Sequence, residues 1–168
     1  METPDLSRLG ALDLATALRS YPRRYRETID RAARTHDLPA EEVVCRPGPD
    51  GTTGTDHLLD AVSTLTLVEQ ALTQVLRTDD PALHPGVLDP THRQWAPPSG
   101  LSLGTLLEML DDQCEDLADV IDAVPGPDWL RPGHLADGPA VSAIDLAREA
   151  VRVGSVNLRA LGVSLAVG

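Results

Sequence analysis

Residues 141–161, VSAIDLAREAVRVGSVNLRAL, read as one long helix, and the architecture follows from what else in the chain can pack against it. The segment opens on Ser142-x-x-Asp145, a capping-box-like start in which a hydroxyl and an acid three residues later satisfy each other's backbone N–H groups. From there the helix continues to about Leu161 or beyond.

Three earlier segments carry the same 3.6-residue period. The first runs from about Pro4 to Thr35, with Leu14, Leu18, Tyr21, Tyr25, Ile29 and Ala32 on one face. Pro22 lies inside it, so a kink or a second start is expected there, with Ser20 as a possible cap. The second runs from Thr55 or Asp56 to about Arg77, with Leu58, Val62, Leu65, Leu72, Val75 and Leu76 as its stripe. The third spans about Ser102 to Ala123, carries Leu103, Leu106, Leu107, Leu110, Cys114, Leu117 and Ile121, and has Ser102 as N-cap.

The connections are rich in breakers. Asp37–Gly54 reads as a loop, as does Val124–Gly138. Thr78–Gly100 holds five prolines and is long for a structureless connection, a length that is often functional or partly ordered. Strand signals are weak and no internal repeat is found. Four amphipathic segments with long connections predict an all-α chain, a four-helix bundle with long crossover loops, in a single domain over residues 1–168.

Composition narrows the function classes. The net charge is −12, and all 14 basic residues are Arg. That charge argues against a nucleic-acid groove, which needs clustered cations, and against an anionic membrane surface. No apolar run approaches the roughly 20 residues of a membrane span. The start METPDLSRLG has no apolar core of a secretion signal, so a cytoplasmic location is expected. In that compartment Cys45, placed in a loop, and Cys114, placed on the third helix, read as free thiols. The Arg, Ala, Gly and Pro usage is that of a high-GC, actinobacterial-like genome.

The pattern as a whole resembles the DinB-like superfamily, which includes bacterial thiol-dependent S-transferases and the N-terminal domain of mycothiol-dependent maleylpyruvate isomerase. ALRSYPRRYRETI, with its mid-helix Pro, is similar to that family's first helix, and LLDAVSTLTLVEQAL to its second. A long crossover and a third helix, GLSLGTLLEMLDDQCEDLADVI, follow. GPAVSAIDLAREAVRVGSVNLRAL resembles the last helix, where the family sets metal-binding histidines one turn apart. Here the matching turns carry Glu149, Val153 and Asn157. If Glu69 matches the acidic residue of the family's second helix, the metal histidine there falls at Ser63 or Thr64, and His57 is out of register. The resemblance therefore implies the scaffold without its metal site, and neither a metal nor another cofactor is expected.

The remaining candidates come from the residues themselves. Glu69 falls in the row Val62, Leu65, Glu69, Leu72, Leu76, where a carboxylate must find a partner or raise its pKa. It reads either as an interior acid/base or as an edge residue reaching solvent or an Arg, and Tyr21 and Tyr25 are placed to hydrogen-bond to it. Glu149 and Asn157, with Tyr25 and Glu69, read as the lining of a polar pocket or as part of an exposed or dimer face. Trp95 and Trp129 each lie in a loop beside proline, as loop anchors or as an aromatic wall for a ligand. Arg152 and Arg159 read as solvated partners of acids. No two histidines stand at helical i, i+3 or i+4 spacing, although His84, His92 and His134 sit in loops that the fold could bring together.

The expectation is a metal-free module that binds a small apolar molecule or a protein, with a homodimer formed through a helix face. The competing expectation is an enzyme, either a thiol-dependent transferase or isomerase or a metal-independent catalyst using Glu69, Tyr25 and His57.

Overall fold

The computed structural model describes residues 6–93, 100–136 and 138–167, and it is mostly helical. The elements are α1 (Ala11–His36), α2 (Ala40–Cys45), α3 (Gly54–Arg77), α4 (Leu103–Asp122), the short strands β1 (Pro132–His134) and β2 (Ala140–Ser142), and α5 (Ala143–Leu165). Single 3₁₀ turns occupy Pro85–Val87, Pro90–His92 and Gly126–Leu130.

The expected helix starts are largely where the capping residues put them. Ser142 accepts from the Asp145 amide while Asp145 accepts from the Ser142 amide, closing the box that begins α5. Ser102 accepts from the Thr105 amide to begin α4. Thr53 and Asp56 form the same reciprocal pair for α3, which therefore starts at Gly54, a residue or two before the expected position.

The start of the first helix is corrected, and of the two alternatives at Pro22 the second start is not taken. The helix begins at Ala11, and it runs through Pro22 without a second start. Proline removes the N–H that would bond to the Leu18 carbonyl. Pro22 is buried within the α1 face between Tyr21 and Tyr25, so packing holds the helix together across the lost bond. Ser20 caps nothing; its hydroxyl donates back to the Ala17 carbonyl at 2.6 Å.

The connections are more ordered than their composition suggests. Asp37–Gly54 contains α2, which places Cys45 at a helix end, followed by a turn bridged between Pro47 and Thr53. In Val124–Gly138, β1 pairs antiparallel with β2, matching Gly133 with Val141, and Ala82 bridges His134.

The apolar faces meet in one core. Leu14, Leu18, Tyr21, Tyr25 and Ile29 of α1 are buried with Leu58, Leu65 and Leu72 of α3, Leu106, Leu110 and Leu117 of α4, and Leu146 and Leu161 of α5. α1 packs against α4 and α5, and α3 also packs against α4 and α5. Among the described residues no helix is long and apolar enough to cross a membrane.

Candidate functional site

The polar interior lies where α3 and α5 meet the end of the 3₁₀ segment. Asp60, on α3, accepts a hydrogen bond from Asn157 Nδ2 of α5 at 2.9 Å. Asn157 is one of the few buried polar residues, 7% exposed. One and two turns before it on α5 stand Val153, buried in the core, and Glu149, whose side chain is 11% exposed. Arg152 forks onto Glu149, its Nε donating to Oε2 at 2.7 Å, and this pairing holds the Arg152 guanidinium above its ordinary pKa.

Arg93 approaches the same carboxylate from the loop. Its Nη2 lies 3.9 Å from Glu149 Oε1, and its side chain is only 6% exposed. The guanidinium donates to the Gly86 carbonyl at 2.6 Å and to the Val87 carbonyl at 3.2 Å. Burial pulls its pKa down, while Asp60 and Glu149 oppose that shift. Glu149 thus sits between two guanidinium groups, that of Arg93 buried and that of Arg152 partly exposed, and Asp60 adds its charge to the field at Arg93.

A cleft of about 390 Å³ opens beside this cluster, lined by Thr52, Asp56, His57, Leu59, Asp60, Arg93 and Asn157. A second, of about 350 Å³, shares His57 with it and runs along α5 past Val156, Ala160 and Val163. The two spaces are neighbours, the first lined mainly by residues with polar side chains and the second largely apolar.

The expected site residues separate into three places. His57 and Asn157 line the polar cleft, and Glu149 sits behind it, held to Arg93 and Arg152. Glu69 is elsewhere: half-buried at the α3–α4 contact, it accepts a hydrogen bond from the Gln113 amide. Thr66 reaches Gln113 Oε1 at 2.7 Å, so this is a local polar link between the two helices. Twelve residues along α3 separate His57 from Glu69, an axial distance of about 18 Å.

The tyrosines do not reach Glu69 either. Tyr21 donates its phenol to the Val151 carbonyl at 2.7 Å, and Tyr25 donates to the Gly154 carbonyl at 2.8 Å. Both clamp α1 to α5. Burial pushes the Tyr21 phenol up to about 12 and that of Tyr25 well above its ordinary value. Trp95 lies outside the described residues. Trp129 packs partly buried against the core from the Gly126–Leu130 turn.

Asp60 and Arg93 were missed by the sequence reading. The α3 residue that meets Asn157 is Asp60, one turn before the Ser63–Thr64 position expected from register. Its signal was its place three residues after His57, on one side of the helix. Nothing in the local sequence marked Arg93.

A metal ion of the kind held by the family that the sequence resembles does not suit these residues. Val153 has no lone pair, Asn157 turns its amide to Asp60, and Glu149 is already neutralised by guanidinium groups. Those fixed cations would repel a divalent ion placed among them. Among the described residues no group of three His, Cys, Asp or Glu side chains is arranged to hold a metal ion. The loop histidines each have a partner: His84 accepts from the Gly86 amide, His92 pairs with Asp89, and His134 pairs with Asp80 of the connection after α3. No protein-family model, curated protein or solved structure matches the chain.

Proposed function

We propose that the chain is a metal-free small-molecule-binding module built on a DinB-like four-helix bundle. The helix neighbours support the bundle: α1 and α3 each contact α4 and α5, leaving α1 diagonal to α3 and α4 diagonal to α5. In that arrangement the crossovers are residues 37–53 and 123–142. The long Thr78–Gly100 connection, expected as the crossover, joins the neighbouring helices α3 and α4.

The observation that carries the binding reading is the cleft walled by Asn157, Asp60 and Arg93, in which Asn157 and Asp60 hold each other and Arg93 is held by the Gly86 and Val87 carbonyls. Preorganised polar groups in a concave site are what orient a small ligand. The adjoining apolar groove past Val156 and Val163 favours a ligand with a polar head and an apolar body, rather than the wholly apolar molecule expected from sequence. Catalysis by Glu69, Tyr25 and His57 together is the weaker reading, because these side chains lie in separate places.

The test is a fragment set of amines, carboxylates and polyols, screened by amide shifts of the ¹⁵N-labelled chain. Shifts gathered on residues 52–60 and 153–160, and lost in His57→Ala, support the reading. Shifts scattered elsewhere, or none, overturn it. Near-stoichiometric Zn²⁺ retained after desalting would overturn its metal-free part.

A further inference from the structure

The wall of the polar cleft offers acceptors and turns its donors back onto the protein. Asn157, 7% exposed, donates Nδ2 to Asp60. Its Oδ1 makes no hydrogen bond among the described residues and is not sealed from solvent, so it opens into the cleft that Asn157 lines. Asp56 lines the same cleft from the first turn of α3. Its Oδ2 accepts from the Thr53 amide and hydroxyl, and its Oδ1 has no hydrogen-bond partner among the described residues. Arg93 commits Nε and Nη2 to the Gly86 and Val87 carbonyls.

The charges point the same way. Asp56 and Asp60 stand one turn apart on α3, where like charges repel. Arg93, the one guanidinium on the cleft wall among the described residues, also faces Glu149. A single positive charge at the Asp56 end relieves the repulsion. From there the cleft leads past His57, which also lines the apolar groove along Val156, Ala160 and Val163, about 10 Å of α5. No described Tyr or Trp lines either space, so the aromatic faces that hold a quaternary ammonium are missing.

We infer that the ligand of this cleft is a primary amine on an aliphatic chain. A protonated amine has three donors and no acceptor, which matches Asn157 Oδ1 and the Asp56 carboxylate. Its chain runs past His57 into the groove beside Val156 and Val163. A carboxylate head would meet acceptors and like charge at the same place. The inference rests on the binding reading and names the class of ligand it takes.

Hexylamine, hexyltrimethylammonium, hexanol and hexanoate, alike in chain and different in head, test it when titrated at neutral pH into the ¹⁵N-labelled full chain. Hexylamine should shift amides of residues 52–60 and 153–160 and bind about 10-fold more tightly than the other three. Asp56→Asn, isosteric and at an exposed position, should weaken it about 10-fold while circular dichroism stays unchanged. In the wild type, 0.5 M NaCl should weaken hexylamine and leave hexanol as it was. Hexanoate, hexanol or hexyltrimethylammonium bound at these residues as tightly as hexylamine overturns the amine and leaves the binding reading standing. Hexylamine binding indifferent to both Asp56→Asn and salt does the same. No shifts at these residues from any of the four overturn both.

Discussion

Gly154 leaves the space that the Tyr21 ring fills. A Cβ at that position would stand 2.7 Å from Tyr21 Cδ2, closer than packed atoms tolerate. The glycine in the middle of α5 is therefore there for the neighbouring helix, at the cost of its own helix propensity.

Gly154→Ala reverses the ordinary sign of that substitution. In an exposed helix interior, alanine gains about 1 kcal/mol over glycine. Here overpacking should cost about 1–3 kcal/mol, read from urea unfolding. Adding Tyr21→Leu, which removes the ring, should leave the pair non-additive, because the clash has gone. A stabilised Gly154→Ala variant would show that α1 and α5 do not meet this closely.

The same two helices show what the sequence made legible. The row Leu14, Leu18, Tyr21, Tyr25, Ile29 was plain because helical period depends only on spacing, and all five residues are buried. Pro22 left a kink or a second start open, and local rules could not choose between them because the packing around the proline is not local. α2 is six residues long, too short to show a period, and β1 and β2 are three each, too short for alternation. In the candidate site, Asn157 and His57 were legible as polar residues near helical stripes. Arg93 was not, since its burial comes from Glu149 and the Gly86 and Val87 carbonyls, which only the fold brings to it.

Alkali should unfold the chain through its tyrosines. The Tyr21 phenol is pushed from 10.0 to about 12 by burial, and Tyr25 is also raised. A raised folded pKa means that the unfolded chain releases its protons first. The contribution is fully present below about pH 10 and is lost as the pH rises toward about 12. The chain has two tyrosines, so tyrosinate absorbance at 295 nm is easily read. It should rise together with loss of helix ellipticity. Tyrosinate forming with a midpoint near 10 in a still-helical protein would contradict the buried clamp.

Arg19 ties α1 to α4 through three acids. Its guanidinium reaches Glu115 at 3.0 Å, Asp119 at 2.7 Å and Asp122 at 2.7 Å. These carboxylates share one face of α4 and repel one another without it. Arg19→Gln should lower the melting temperature, and the loss should shrink in 1 M NaCl, because exposed charges are screened. An equal loss at low and high salt would assign the effect to packing of the arginine stem instead.

The two cysteines should report the same core from opposite sides. Cys45 is exposed at the end of α2, whereas Cys114 is fully buried on α4. Burial, with Asp111 and Glu115 nearby, pushes the Cys114 thiol up to about 12, and only a thiolate attacks a disulfide reagent. Ellman's reagent should therefore label one thiol per chain in the native protein and both in denaturant. Cys114 is buried in the same core as Tyr21 and Tyr25, so its labelling reports the opening of that core. Gly154→Ala should speed that labelling while leaving Cys45 unchanged. Rapid labelling of both thiols in the native wild type would mean that the α1–α4–α5 core opens far more readily than its packing implies.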